Sequence, residues 1–229
     1  MTKKIILITL SILLFGSVGF YIKENIKNSK EAAQKNGNKT QNNNPGIVVE
    51  GNGNYEVKKI DLPKNFENID KIPMPDLDKP IMALPGVDDI TLKFATEKIK
   101  EVTTRLKANK YSLEDWLILG VHRKTIEDYE EARTIWTYAG LAWPQNERSF
   151  HNLGELYGYY LKDYKKAEEN YKKALENNPS AIYIYRNFAD FYRFVIKDNT
   201  KAKAILEQGI AANPGEAPLD LQNLLKAIK

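Results

Sequence analysis

The sequence contains no cysteine, which excludes a disulfide framework, a thiolate zinc site and lipid attachment through a cysteine. Histidine is nearly as scarce. His122 and His151 are the only two, and two histidines alone make no recognisable metal site. Neither a phosphate-cradling Walker loop nor a dinucleotide-binding glycine fingerprint is present. Gly16-Ser17-Val18-Gly19 has the outline of a nucleophile elbow, but it lies inside an apolar run. Basic charge is missing where a nucleic-acid surface would need it. Residues 1–60 hold nine lysines against four glutamates, which is +5, so the remaining 169 residues sum to −1 of the net +4. These absences point away from an enzyme, a cofactor, a metal and a nucleic-acid partner.

What is present begins with an apolar run. Lys3 and Lys4 precede Ile5 to Ile22, 18 residues without a charge. At about 1.5 Å of rise per residue this barely spans a hydrocarbon core of about 30 Å. The segment 1–24 is expected to be a single-pass membrane anchor, with the rest of the chain outside the cytoplasm. A signal peptide cut near Ser17-Val18-Gly19, giving a secreted protein, is the alternative. Residues 25–60 are rich in asparagine, lysine and glycine, too polar to offset their ordering entropy, and read as a flexible tether. Residues 61–86 carry Pro63, Pro73, Pro75, Pro80 and Pro85, which exclude a helix. Their apolar residues, Ile72, Met74, Leu77 and Ile81 among them, suit an extended strap along a helical domain. They also suit a docking peptide, or a segment that fills a binding groove in cis.

Residues 87–110 read as a helix capped by Asp88 or Asp89, with Leu92, Ala95, Ile99, Val102 and Leu106 forming one apolar stripe. From 111 to 216 the chain repeats. Pro144, Pro179 and Pro214 are each 35 residues apart, as are Ala132, Ala167 and Ala202. Trp136, Tyr171 and Leu206 keep the same interval, and so do Phe150 and Tyr185, or Gly154 and Ala189. The first copy places Trp116, Leu119 and Gly120 one residue closer to its alanine. Copies two and three are therefore expected to hold an extra residue in the internal turn. Each copy is a helix pair too small to bury its own apolar face, so the copies must stack. Small residues mark close helix approaches, large ones fill the gaps, and the prolines stop the second helix. Ser112 and Asp115 form a capping box. Glu130 and Glu131 read as a solvated face. Leu221, Leu224, Leu225 and Ile228, in 217–229, would close the rear.

The pattern resembles the tetratricopeptide repeat, W-x2-L-G…Y…A-x3-F-x2-A…P. The first copy supplies Trp116, Leu119, Gly120, Ala132, Trp136, Ala139 and Pro144, with Arg123 where tyrosine is usual. The second supplies Phe150, Leu153, Gly154, Tyr157, Ala167, Tyr171, Ala174 and Pro179, and the third is looser. The resemblance implies an all-α, right-handed α-solenoid of three helix pairs (about 113–146, 147–181 and 182–216) with capping helices at both ends.

It also implies a concave groove, lined by the first helix of each pair, that binds a protein or peptide. By position the groove takes Leu117, Val121 and Lys124 from copy one. Copy two adds His151, Glu155, Gly158 and Tyr159, and copy three Tyr183, Arg186, Asp190, Arg193 and Phe194. Leu117 and Val121 occupy positions where carboxylate-clamping members carry polar residues, so no such clamp is expected. Arg186 and Arg193 suit an acidic side chain, or pair with Asp190 and Glu155. The expected function is a membrane-tethered protein-interaction module. The alternatives are a self-associating envelope protein, in which solenoid ends or strap pack against a second copy, and a non-catalytic cell-wall accessory domain.

Overall fold

The computed structural model describes residues 47–50, 56–59, 69–82, 86–214 and 218–228. The expected anchor over 1–24 lies outside them. The chain divides into two units, Met1–Ile60 and Asp61–Lys229. In the first, β1 (Ile47–Glu50) pairs antiparallel with β2 (Glu56–Lys59), with Ile47 opposite Lys59 and Glu50 opposite Glu56. The expected tether over 25–60 therefore contains a short ladder. Ile47, Val48, Val49 and Val57 are β-branched residues that favour extended backbone, a local signal masked by the polar composition around them.

Among its described residues, Asp61–Lys229 is an all-α solenoid. Helix α1 (Asp89–Ala108) precedes three helix pairs. Copy one is α2 (Leu113–Thr125) with α3 (Tyr129–Ala142). Copy two is α4 (Arg148–Glu155), running straight into a π turn over Leu156–Leu161, with α5 (Tyr164–Asn177). Copy three is α6 (Ile182–Asp190), a second π turn over Phe191–Ile196, and α7 (Asn199–Ala212). Helix α8 (Leu219–Ala227) closes the rear, burying Leu221 against α6 and α7.

The boundaries have local causes. Asp88 caps α1, its Oδ1 accepting from the Thr91 amide at 2.9 Å. Asp128, Asp163 and Asp198, 35 residues apart, cap the three second helices in the same way. Before each of these aspartates the backbone turns left-handed, at Glu127 (φ 63°), Lys162 (φ 58°) and Lys197 (φ 64°). The turns are thus in register, and the extra residue of copies two and three does not sit in them. It is absorbed one step earlier, where α4 and α6 widen into π turns, the usual fate of one residue inserted into an α-helix. The Ser112 capping box is half-made. Ser112 Oγ accepts from the Asp115 amide at 3.2 Å, but the Asp115 carboxylate is taken by Arg105 Nε and Nη2, at 2.9 and 2.7 Å.

Close approach explains the small residues. A Cβ on Gly120 would fall 2.2 Å from Trp136 Nε1, so only glycine lets α2 meet α3. Trp116 and Trp136 are completely buried, as are Tyr171 and Phe188, which stack at 4.8 Å.

Residues 69–82 run along the front of the solenoid. Ile69 and Pro75 are buried. Asp78 pairs with Lys107, Asp70 with Lys110 and Tyr111, and Lys79 with Glu131. Glu131 is therefore not on a solvated face: it is 3% exposed, because the strap covers it. Arg123 is 2% exposed and its guanidinium donates to the carbonyls of Lys79 (2.8 Å) and Pro80 (3.2 Å) and to Asp128 (3.0 Å). These contacts engage α1 and the first repeat, and among the described strap residues none of them involves His151, Glu155 or Asp190; residues 61–68 and 83–85 lie outside the described residues.

Candidate binding groove

The three first helices carry Lys124, Glu155 and Asp190 in successive copies. Glu155 ends α4 and Asp190 ends α6, each just before a π turn. Asn187, one turn before Asp190, holds its Nδ2 2.8 Å from His151 Nε2 and donates to Glu155 Oε1 at 3.4 Å. On the other side Lys124 Nζ stands 3.9 Å from Glu155 Oε2. The same ammonium lies 5.8 Å over the Trp136 ring and 5.7 Å over Tyr160, so its position is fixed by aromatic faces as well as by charge. One polar row thus joins all three copies.

His151 is 8% exposed, edge-on to Tyr183 at 5.0 Å and to Tyr171 at 6.0 Å. Burial holds its imidazole below the ordinary histidine range, against the pull of Glu155. The neutral ring accepts from Asn187. Asp190 shows the opposite effect. Burial pushes its carboxyl above the ordinary range despite the charges of Arg186 and Arg193. Among the described residues Asp190 makes no ion pair: Arg186 points to solvent, and the Arg193 guanidinium lies 4.8 Å over the Phe194 ring. Burial also raises the Tyr159 hydroxyl, with Asp190 and Glu155 adding to the effect. The Tyr171 hydroxyl has no hydrogen-bond partner among the described residues, and burial raises it well above the ordinary range, with Glu155, Tyr159 and Asp190 adding to the effect.

Of the positions expected to line the groove, Lys124, His151, Glu155 and Tyr183 are linked by the contacts above, and Tyr159 is near enough to Glu155 and Asp190 for their charges to bear on its hydroxyl. Arg186, Arg193 and the 52% exposed Phe194 form a rim, and Val121 is 41% exposed on α2. Two expectations are corrected. Leu117 is 4% exposed, with its carbonyl accepting from Trp136 Nε1 at 3.2 Å, and belongs to the core. Gly158 is buried where the π turns meet, since a Cβ there would fall 2.7 Å from Phe191. Asn187 and Tyr171 were not expected in the site. Asn187 carried a faint signal, because a mid-helix asparagine is disfavoured unless its amide has a partner.

His122 is remote from this arrangement, lying edge-on to Phe94 at 6.1 Å. Among the described residues no group of three or more histidines and carboxylates is placed to hold a metal, and no helix is long and apolar enough to cross a membrane. A cleft of about 490 Å³ opens elsewhere, between the strap and α1, lined by Lys79, Lys100, Thr103, Lys107 and Arg123. Most of its cations are already engaged, Lys79 by Glu131, Lys107 by Asp78 and Arg123 by Asp128.

The tetratricopeptide repeat family model matches residues 147–180, which are the second copy. No curated protein matches the chain. The repeat match and the stacked helix pairs support a protein–protein interaction module.

Proposed function

We propose that this protein is a membrane-tethered interaction module that binds an extended segment of a partner protein along the first helices of its solenoid. In this reading the apolar run Ile5–Ile22 is the membrane anchor, and the solenoid lies outside the cytoplasm. The observation that carries the binding reading is Glu155, which faces Lys124 of copy one and Asn187 of copy three at once. A polar row continuous across three repeats gives an extended chain repeated hydrogen-bonding partners, while Tyr159 and Phe194 offer aromatic surface beside it.

A photo-reactive residue at Tyr159 in the full chain, illuminated in membranes of the source cell, tests this. One dominant crosslinked protein, lost when Arg186→Glu and Arg193→Glu are combined, is the expected result. Self-crosslinks alone would replace the reading by a structural oligomer.

A further inference from the structure

Glu155 and Asp190 occupy the same position of adjacent repeats, 35 residues apart, with Tyr159 one turn beyond Glu155. The row they belong to has too many acceptors. The one amide of Asn187 serves both His151 and Glu155. Lys124 approaches Glu155 only at 3.9 Å and is shared with two aromatic rings. Asp190 has spent none of its lone pairs on an ion pair among the described residues, although it is half-buried. A second, independent observation falls at the same place. The Tyr171 ring is completely buried, 6.0 Å from the His151 ring of the same row, and its hydroxyl lacks a partner among the described residues. Polar groups left unpaired at one spot call for a partner from elsewhere.

We infer that the space between Glu155 and Asp190, beside Tyr159, receives an arginine side chain of the partner segment. The inference rests on the groove reading above and specifies its ligand. A guanidinium brings five N–H donors in a plane, enough to serve Asp190 and Glu155 together, and that plane stacks on a tyrosine face. A lysine ammonium matches the charge but not the stacking. The cations around the site set a further condition. Lys124, Arg186 and Arg193 would repel a segment whose charge was wholly basic, and they attract carboxylates. The segment that fits therefore carries its arginine between acidic residues.

The test uses the full chain and three sets of immobilised 12-residue peptides, together with an unbiased random pool. One set has a central arginine flanked by aspartates, the second has citrulline in place of arginine, and the third has glutamate there. The expected result is that the arginine set binds at least about tenfold tighter than the citrulline set, and that Asp190→Asn removes this preference while melting near the parent. If Asp190→Asn fails to fold, the arginine–citrulline comparison on the parent chain still decides. Equal binding of the citrulline set, or tighter binding of the glutamate set, overturns the arginine site. In that case the groove reading survives, provided the peptides bind and Tyr159→Ala releases them. Retention of no peptide from any set or from the pool overturns the groove reading and the arginine site together.

Discussion

Arg123 Nη2 donates to the backbone carbonyl of Lys79 at 2.8 Å, joining the first repeat to a strap residue 44 positions earlier. Tyrosine is usual at this place in the repeat, and a tyrosine hydroxyl cannot serve two carbonyls and a carboxylate at once. Arg123→Met should cost about 2–3 kcal/mol, the order expected for hydrogen bonds to a charged group. It should also loosen residues 69–82. Urea unfolding measures the first effect, and faster tryptic cleavage after Lys71 measures the second.

Gly120→Ala puts a methyl group where Trp136 Nε1 stands, at 2.2 Å. The indole is buried and hydrogen-bonded to Leu117, so it cannot swing aside, and a loss of about 1–3 kcal/mol or more is expected. Gly140→Ala is the control. Its nearest atom is the tip of the half-buried Phe150 ring at 3.2 Å, which needs to give by only a few tenths of an ångström, so the expected loss is under about 1 kcal/mol. Thermal melting of the two variants side by side checks the contrast.

Lys162 sits at φ 58°, a backbone region that costs an L-residue with a Cβ about 1–2 kcal/mol. Lys162→Gly should raise stability by up to about 1 kcal/mol, part of the relief being returned as chain entropy. Lys162→Val should lower it. Calorimetry of both variants separates backbone strain from any effect of lost charge.

Acid should weaken the second repeat through His151. Its folded-state pKa is depressed by burial, against Glu155, a hydrogen bond with Asn152 and Glu147, while Lys124 acts in the same direction as burial. Tyr171, Tyr183 and Asn187 complete its surroundings. The unfolded chain therefore binds the proton first. Stability is at its full value above about pH 6.5, the ordinary histidine value, and falls as pH drops towards the lower folded value. His151→Gln should flatten that slope in urea midpoints, leaving the share of His122, which burial also depresses. Asp190 has the opposite sign: its raised folded pKa makes stability fall as pH rises from the ordinary carboxyl range through the folded value.

The helix pairs, their order and the small-against-large packing were legible in the sequence, because each rests on one residue type at a fixed interval. Gly120 against Trp136 and Gly154 against Tyr171 are examples. The π turns were not. An extra residue changes a count but does not say where the backbone absorbs it, and the repeating aspartate caps at 128, 163 and 198 fix the turns and force the surplus into the helix. The burial of Glu131 was hidden for a different reason. Its partner Lys79 lies on an irregular segment whose path no periodicity describes. In the groove, position along the helix identified Lys124, His151, Glu155 and Asp190. Asn187 and Tyr171 escaped because their roles come from contacts between elements, and the tyrosine's size marked it for the core alone.

The π turns break the uniformity of the inner face. From α2 to α4 the count between equivalent residues changes by one, and from α4 to α6 it does not. Side chains past the added residue, Tyr159 and Phe194 among them, are turned relative to where an unbroken α-helix would carry them. A segment laid along the groove one way meets this change of phase at its leading end, and laid the other way meets it at its trailing end. The two orientations therefore meet that change in opposite order, a difference added to the polarity that head-to-tail stacking of the copies already gives.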